Sequence, residues 1–250
     1  MKKNYNVILI ILIITIMIVG CGSRNDSIER DNYLSKCQKI NEEKQIDSYV
    51  FTLVESFYDR NTNSGYMHMS ISSDENDVSK IKVFSNLGMK IATDEKLLYK
   101  ITSFYGRSEI EYEYKDGKLE VYMLLVDDQE MGKGEIRIVN PENEKEIVFE
   151  LPDSKMSECY QYGDKEIWIS PISIFTSEFD FDKLSSLTLI MKNSEKIKII
   201  EDGNKCGKFA GGSFGSGDVP MTNFCWFNKC FEYTDIDYLE IGNEKVERKN

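Results

Sequence analysis

Glu109-Ile110-Glu111-Tyr112-Glu113-Tyr114-Lys115-Asp116-Gly117-Lys118-Leu119 is the stretch on which the fold class turns. Acid alternates with apolar or aromatic residue over its first half. In an extended ribbon this puts Ile110, Tyr112 and Tyr114 on one face and the glutamates on the other. Asp116-Gly117 then supplies the positive φ angles of a tight hairpin. Residues 119–126 return as a second strand, apolar at nearly every position after Glu120 and therefore more deeply buried. Such a hairpin predicts antiparallel sheet.

The same grammar extends outward. Residues 135–139 and 146–150 pair across Asn140-Pro141-Glu142-Asn143, whose turn chemistry separates them. Strands follow over 166–175, 187–191 and 196–200, with Lys192-Asn193-Ser194 turning the last two. Residues 238–241 and 245–246 flank Gly242-Asn243. Upstream, Tyr49-Val50-Phe51-Thr52-Leu53-Val54 is β-branched and aromatic, and residues 59–65 turn it into Tyr66-Met67-His68-Met69-Ser70-Ile71. Many short strands with turns between them, and no alternating helices, predict a mainly β fold built as an antiparallel β-sandwich. A short N-terminal helix precedes it: residues 22–47 read as a polar tether running into a helix. Ser27 or Asp26 would cap that helix, and Ile28, Leu34, Cys37 and Ile40 recur at helical spacing. Residues 203–217 depart from the pattern, with glycines at 203, 207, 211, 212, 215 and 217. They predict a long loop bracketed by Cys206 and by Cys225 and Cys230.

The first residues supply an address. Lys2 and Lys3 precede an apolar run over residues 7–19 that ends in Gly20-Cys21, the three-part layout of a secretory signal. The run is shorter than the ~20 apolar residues that a spanning helix needs, which disfavours an uncleaved anchor. A cysteine directly after the small residue resembles the lipobox of bacterial lipoproteins. That resemblance implies cleavage before Cys21, a diacylglycerol on its thiol, and a protein held at the cell membrane facing the extracytoplasmic side. The expected organisation is a signal peptide over 1–20, a lipidated tether and helix over 21–47, and one β-sandwich ectodomain over 48–250. The formal net charge is −12, and the signal carries lysines but no acid. So acidic a chain is repelled by nucleic acid and by anionic headgroups, so the lipid and not the protein surface would hold the membrane.

Catalytic residue types are scarce. His68 is the single histidine, which removes hydrolytic triads and multi-histidine zinc sites from consideration. Met67-His68-Met69 suggests a soft copper site, but on a strand His68 points away from both methionines. Asp74-Glu75-Asn76-Asp77, Asp180 with Asp182, and Asp235 with Asp237 lack the glycine-pivoted loop of a strong calcium site. No metal and no cofactor is expected. Besides Cys21 there remain Cys37, Cys159, Cys206, Cys225 and Cys230, all disulfide candidates if the chain works outside the cell. For Cys206, Cys225 and Cys230 the leading reading is a clamp from Cys206 to either of the other two, closing the glycine-rich loop. Reduced buried thiols come next, and a metal or redox role last. Phe224, Trp226 and Phe227 are either core filling or an exposed aromatic contact surface.

Ile167-Trp168-Ile169-Ser170-Pro171-Ile172-Ser173-Ile174, Leu187-Thr188-Leu189-Ile190-Met191-Lys192, Lys196-Ile197-Lys198-Ile199 and Thr234-Asp235-Ile236-Asp237-Tyr238-Leu239-Glu240-Ile241 share a cadence. They resemble the immunoglobulin-like extracytoplasmic domains of Gram-positive bacteria, found in lipoproteins and in membrane-anchored anti-sigma-factor-like proteins. The resemblance covers about residues 80–250 and implies an Ig-like sandwich that binds or senses and does not catalyse. The expected function is therefore a non-enzymatic lipoprotein that binds a protein or cell-envelope component. An envelope-stress or sporulation-related sensor with a redox-sensitive loop is the alternative. A transporter's solute-binding lipoprotein is weaker, because the chain lacks alternating α/β lobes around a cleft.

Overall fold

A computed structural model describes residues 26–78, 82–85, 98–101, 111–126, 134–178, 181, 184–201, 205–206, 214–216, 219–221, 224–227 and 230–249. The expected signal peptide and Cys21 lie outside these residues, as do Asp180 and Asp182. In chain order the elements begin α1 (Asp26–Leu34), β1 (Gln38–Ile46), β2 (Tyr49–Asp59), β3 (Ser64–Ser72), β4 (Lys82–Ser85), β5 (Leu98–Ile101), β6 (Glu111–Lys115) and β7 (Lys118–Val126). There follow β8 (Glu135–Val139), β9 (Glu146–Glu150), β10 (Glu158–Tyr162), β11 (Lys165–Ile169), β12 (Ser173–Phe175), β13 (Leu187–Met191) and β14 (Lys196–Glu201). The last are β15 (Lys205–Cys206), β16 (Phe214–Ser216), β17 (Val219–Met221), β18 (Phe224–Trp226), β19 (Ile236–Ile241) and β20 (Glu244–Val246). The chain is mainly β, with antiparallel sheets and very little helix. Among the described strands only β4 and β5 pair in parallel. No helix among the described residues is long and apolar enough to cross a membrane.

Two apolar clusters organise the strands. The sheet β1-β2-β3-β7-β6 turns Phe51, Leu53, Met67, Met69, Ile71, Val121 and Met123 onto Ile136, Ile138 and Phe149 of β8 and β9. The sheets β10-β11-β12-β18 and β15-β14-β13-β19-β20 share a second cluster, in which Ile167, Ile169 and Ile174 meet Leu187, Leu189, Ile197, Leu239 and Ile241. The period-2 alternation of these strands is what sorts the side chains.

The hairpin expected around Asp116-Gly117 is β6–β7. Asp116 and Gly117 turn it at φ 51° and 77°, and Tyr114 stands opposite Leu119. Which face is covered differs from a simple apolar-inside rule: Tyr114 is 57% exposed, while Glu111 and Glu113 are half-buried. The acidic side of β6 lies where Arg30 of α1 meets it.

The helical spacing expected through Ile40 is corrected: α1 ends at Leu34, and Gln38–Ile46 is a strand paired antiparallel with β2. Ile40 and Ile46 share the period of a strand as well, and pairing with the highly apolar β2 decides between the two. A bulge between Lys39 and Glu42, with Asn41 at φ 54°, adjusts the register. Sheet therefore starts at residue 38, within the segment expected to be tether and helix. The strand expected over 166–175 is instead a hairpin, β11 and β12, with Trp168 opposite Phe175 and Ile169 opposite Ile174. Pro171, which lacks an N–H, sits at its corner. Within the expected loop at 203–217, Lys205–Cys206 pairs with β14, and Phe214–Ser216 pairs with β17.

A second bulge positions the site described below. Strand β2 points Phe51 and Leu53 into the first cluster, so strict alternation would send Glu55 after them. The register instead slips between Leu53 and Glu55. The extra residue, Val54, turns Glu55 and Phe57 to the opposite face and returns Tyr58 to the first cluster.

Candidate functional site

The outer face of the first sheet is divided in two. One end is apolar and forms a seam: Phe57, Tyr66 and Tyr122 pack with Tyr33 of the helix and Ile172 from the β11–β12 corner. Leu34, Cys37, Leu124, Met156 and Cys230 close around them. The other end is polar and is centred on His68.

His68 lies between Met67 and Met69 in sequence but on the other face, both methionines being fully buried. This is the orientation expected of a strand, and it rules out a Met-His-Met chelate. Direct cross-strand register puts Glu55 and Tyr122 on either side of His68. Nδ1 lies 3.3 Å from Glu55 Oε1 and Nε2 lies 2.8 Å from Glu120 Oε2. The imidazole stacks on the Tyr122 ring at 4.5 Å and 17°. The Ser70 hydroxyl donates to the other oxygen of Glu120 at 3.1 Å, and Lys39 Nζ stands 3.9 Å from Glu55. Arg30 adds a roof: its guanidinium sits 4.6 Å from the Tyr122 centroid, 3.4 Å from Glu113 and 4.0 Å from Glu111.

Chemically this is a half-buried shelf of acceptors around an aromatic plate. The two ring nitrogens of His68 face different carboxylates, so His68 is used up in bracing Glu55 and Glu120. Among the described residues no three of His, Cys, Asp and Glu stand so as to hold a metal ion. What the shelf does hold is a guanidinium, by cation–π contact with Tyr122 and charge pairing with glutamates. Burial near Glu111 pushes the Tyr66 phenol well above its ordinary value, so that hydroxyl stays protonated.

Sequence reading singled out His68 but missed its partners. The signal lay in the phase of β2: a glutamate, Glu55, at the next alternate position after Phe51 and Leu53, followed by adjacent aromatics Phe57 and Tyr58. Only a bulge accommodates both.

The other expected site residues fall elsewhere. Phe224, Trp226 and Phe227 do not form an exposed contact surface: they are 1%, 7% and 0% exposed. Phe224 and Trp226 pack with Val126 and Phe175 between the two sheet systems, and Phe227 belongs to the second cluster. The apolar end of β7 needs a cover, and these rings are large enough to provide it. Cys37, Cys159 and Cys230 are free thiols, not halves of disulfides. Cys230 therefore does not clamp the glycine-rich segment. Cys225 is buried on β18 opposite Ile174, and the backbone of Cys206 pairs with Ile200.

No family model matches the chain, and no curated protein matches it. Among solved structures it is similar to the crystal structure of the conserved domain protein from Bacillus anthracis, at 15% identity and a TM-score of 0.41. The match covers 84% of this chain and 78% of that one. A likeness of that degree decides neither fold family nor function.

Proposed function

We propose that this chain is a non-enzymatic, membrane-anchored extracytoplasmic lipoprotein that binds a protein or cell-envelope component through an Ig-like domain over about residues 80–250. Membrane attachment through Cys21 is supported by the signal-like residues 1–21. The observation that carries the binding reading is the seat of Arg30 over Tyr122, beside Glu111 and Glu113. A surface that accepts one guanidinium in this way suits a partner presenting lysine or arginine, and the chain's net charge of −12 would steer such a partner toward it.

The test is titration of the purified chain with a lysine- and arginine-rich peptide and with its glutamate-substituted counterpart. Binding to the basic peptide alone, weakened by salt and reduced several-fold by Glu111→Gln with Glu113→Gln, supports the reading. Equal binding to both peptides, or turnover in a broad hydrolase screen, overturns it. The sensor reading, with redox acting on residues 203–230, is favoured by the free thiol of Cys230. Identical protease sensitivity of that segment with and without reductant removes it.

A further inference from the structure

Cys37 follows α1 and Cys230 follows β18, so most of the chain separates them, yet both pack against the apolar seam formed by Tyr33, Phe57, Tyr66, Tyr122 and Ile172. Two further contacts join the neighbourhoods of the pair. The Tyr33 hydroxyl donates to the Phe227 carbonyl, and Lys36, adjacent to Cys37, forms an ion pair with Glu232, two residues beyond Cys230. Tyr33 therefore lies beside Phe227 and Lys36 beside Glu232, with Cys230 between these two contacts in sequence and Cys37 directly after the second. Cys159 and Cys225 pack elsewhere. Cys37 Sγ faces the carbonyls of Tyr33 and Tyr66 at 3.6 and 3.8 Å, contacts that a sulfur gives up readily.

We propose that Cys37 and Cys230 form an oxidisable pair, a modification site at which a disulfide fastens the N-terminal helix to the second sheet system. The co-reactant is a low-molecular-weight disulfide. Cys230 loses its proton to water, and its thiolate attacks one sulfur of the reagent, forming a mixed disulfide and expelling one thiolate. The Cys37 thiolate then attacks the Cys230 sulfur and expels the second. Two protein thiols are oxidised, one reagent disulfide is reduced to two thiols, and the two protons end on the released thiols.

The order of attack follows from the surroundings. Burial pushes the Cys230 thiol up to about 12, with Lys36 pulling it back in part. Cys37 is pushed higher still, by burial and then by the charges of Glu55 and of Cys230 itself. Thiolate is scarce at both, so exchange in the closed structure is slow at neutral pH and accelerates as pH rises.

The test uses the full chain, incubated with oxidised glutathione at several pH values, alkylated, and analysed by intact mass and peptide mapping. The expected product is a linked pair of peptides containing Cys37 and Cys230, formed about tenfold faster for each pH unit gained. Cys37→Ser and Cys230→Ser each abolish it, and Cys159→Ser leaves it unchanged. Oxidation should also slow proteolysis after Arg30 and Lys36 at least about tenfold, an effect that the Cys37→Ser, Cys230→Ser double variant lacks. Glutathione adducts at both thiols with no linked peptide, or a dominant link from either thiol to a different cysteine, overturn the proposal. Because the mapping on the native chain requires no variant, a misfolded substitution does not leave the question open.

Discussion

The hydroxyl of Ser64 on β3 lies 2.6 Å from that of Ser173 on β12, and both are buried. This contact is one link in a line of hydroxyls that crosses between the two apolar clusters. Thr62 donates through its N–H and its hydroxyl to Asp59 Oδ1, at 3.0 and 3.2 Å. Thr62 and Ser64 oxygens are 2.9 Å apart, and Ser173 and Ser170 oxygens are also 2.9 Å apart. Each hydroxyl has one proton to give. Since Thr62 gives its proton to Asp59, Ser64 gives to Thr62, Ser173 to Ser64, and Ser170 to Ser173. The Asp59 carboxylate orients the whole line. The corner that carries Ser170 and Ser173 is docked further by the Phe227 and Phe231 N–H groups, which donate to the Ile172 and Pro171 carbonyls at 2.7 and 2.9 Å.

Breaking that line strands buried polar atoms. Ser64→Ala and Ser173→Ala should each lower unfolding free energy by about 1–3 kcal/mol. In a double-mutant cycle by urea denaturation the pair should be less than additive. Strict additivity would mean that the two hydroxyls do not interact.

Asp59 carries a pH signature. Burial raises its carboxyl above the usual range, with Thr62 and Ser157 pulling it back in part. A carboxyl whose folded value exceeds its unfolded one contributes stability below the unfolded value and loses it as pH rises through the folded one. Asp59→Asn keeps an acceptor for Thr62 and removes the cost of the buried charge. Relative to wild type the variant should therefore gain stability as pH rises from about 3 to about 6. Melting temperatures across that range check this, and a difference independent of pH would contradict it.

His68→Leu should cost about 1–3 kcal/mol, because Glu55 and Glu120 lose the imidazole that stands between them and face each other across an apolar side chain. His68→Gln, which keeps an N–H, should recover part of the loss. Equal stability of all three proteins in urea would show that the imidazole bears no part of the shelf.

Trp226→Ala should destabilise by about 3–5 kcal/mol, as expected for a large buried ring. Its fluorescence, isolated in a Trp168→Phe background, should be poorly quenched by acrylamide. Ready quenching with little loss of stability would return Trp226 to the surface.

Gly65 tolerates no side chain. A Cβ there would run into the Phe57 carbonyl oxygen, a backbone atom of the paired strand. Gly65→Ala should cost at least about 2 kcal/mol, read as a lowered melting temperature. An unchanged melt would mean that β2 and β3 can part without penalty.

Local chemistry was legible where it acts locally. Asp116-Gly117 and Gly242 turn where the sequence announces it, with left-handed backbone values of 51°, 77° and 60°, and the side of the sheet that His68 takes follows from Met67 and Met69 taking the other. What stayed hidden depends on partners distant in sequence. Ile40 satisfies helical and strand periods alike, and only β2 selects the strand. Val54 is an ordinary strand residue until the register of β3 makes it the inserted one. The aromatics at 224–227 suit core and surface alike until Val126 of β7 is found packed against Phe224 and Trp226. Ser170-Pro171-Ile172-Ser173 reads as the middle of one strand, although its corner geometry lets Ile172 and Ser173 reach the first sheet.

Phe57 and Tyr58 are consecutive residues that serve different interiors, Phe57 the seam and Tyr58 the first cluster. The consequence is cooperativity. Strand β2 is a wall shared by adjoining rooms, so melting either side removes part of the other. The chain should lose both in one thermal transition, with calorimetric and van't Hoff enthalpies in agreement.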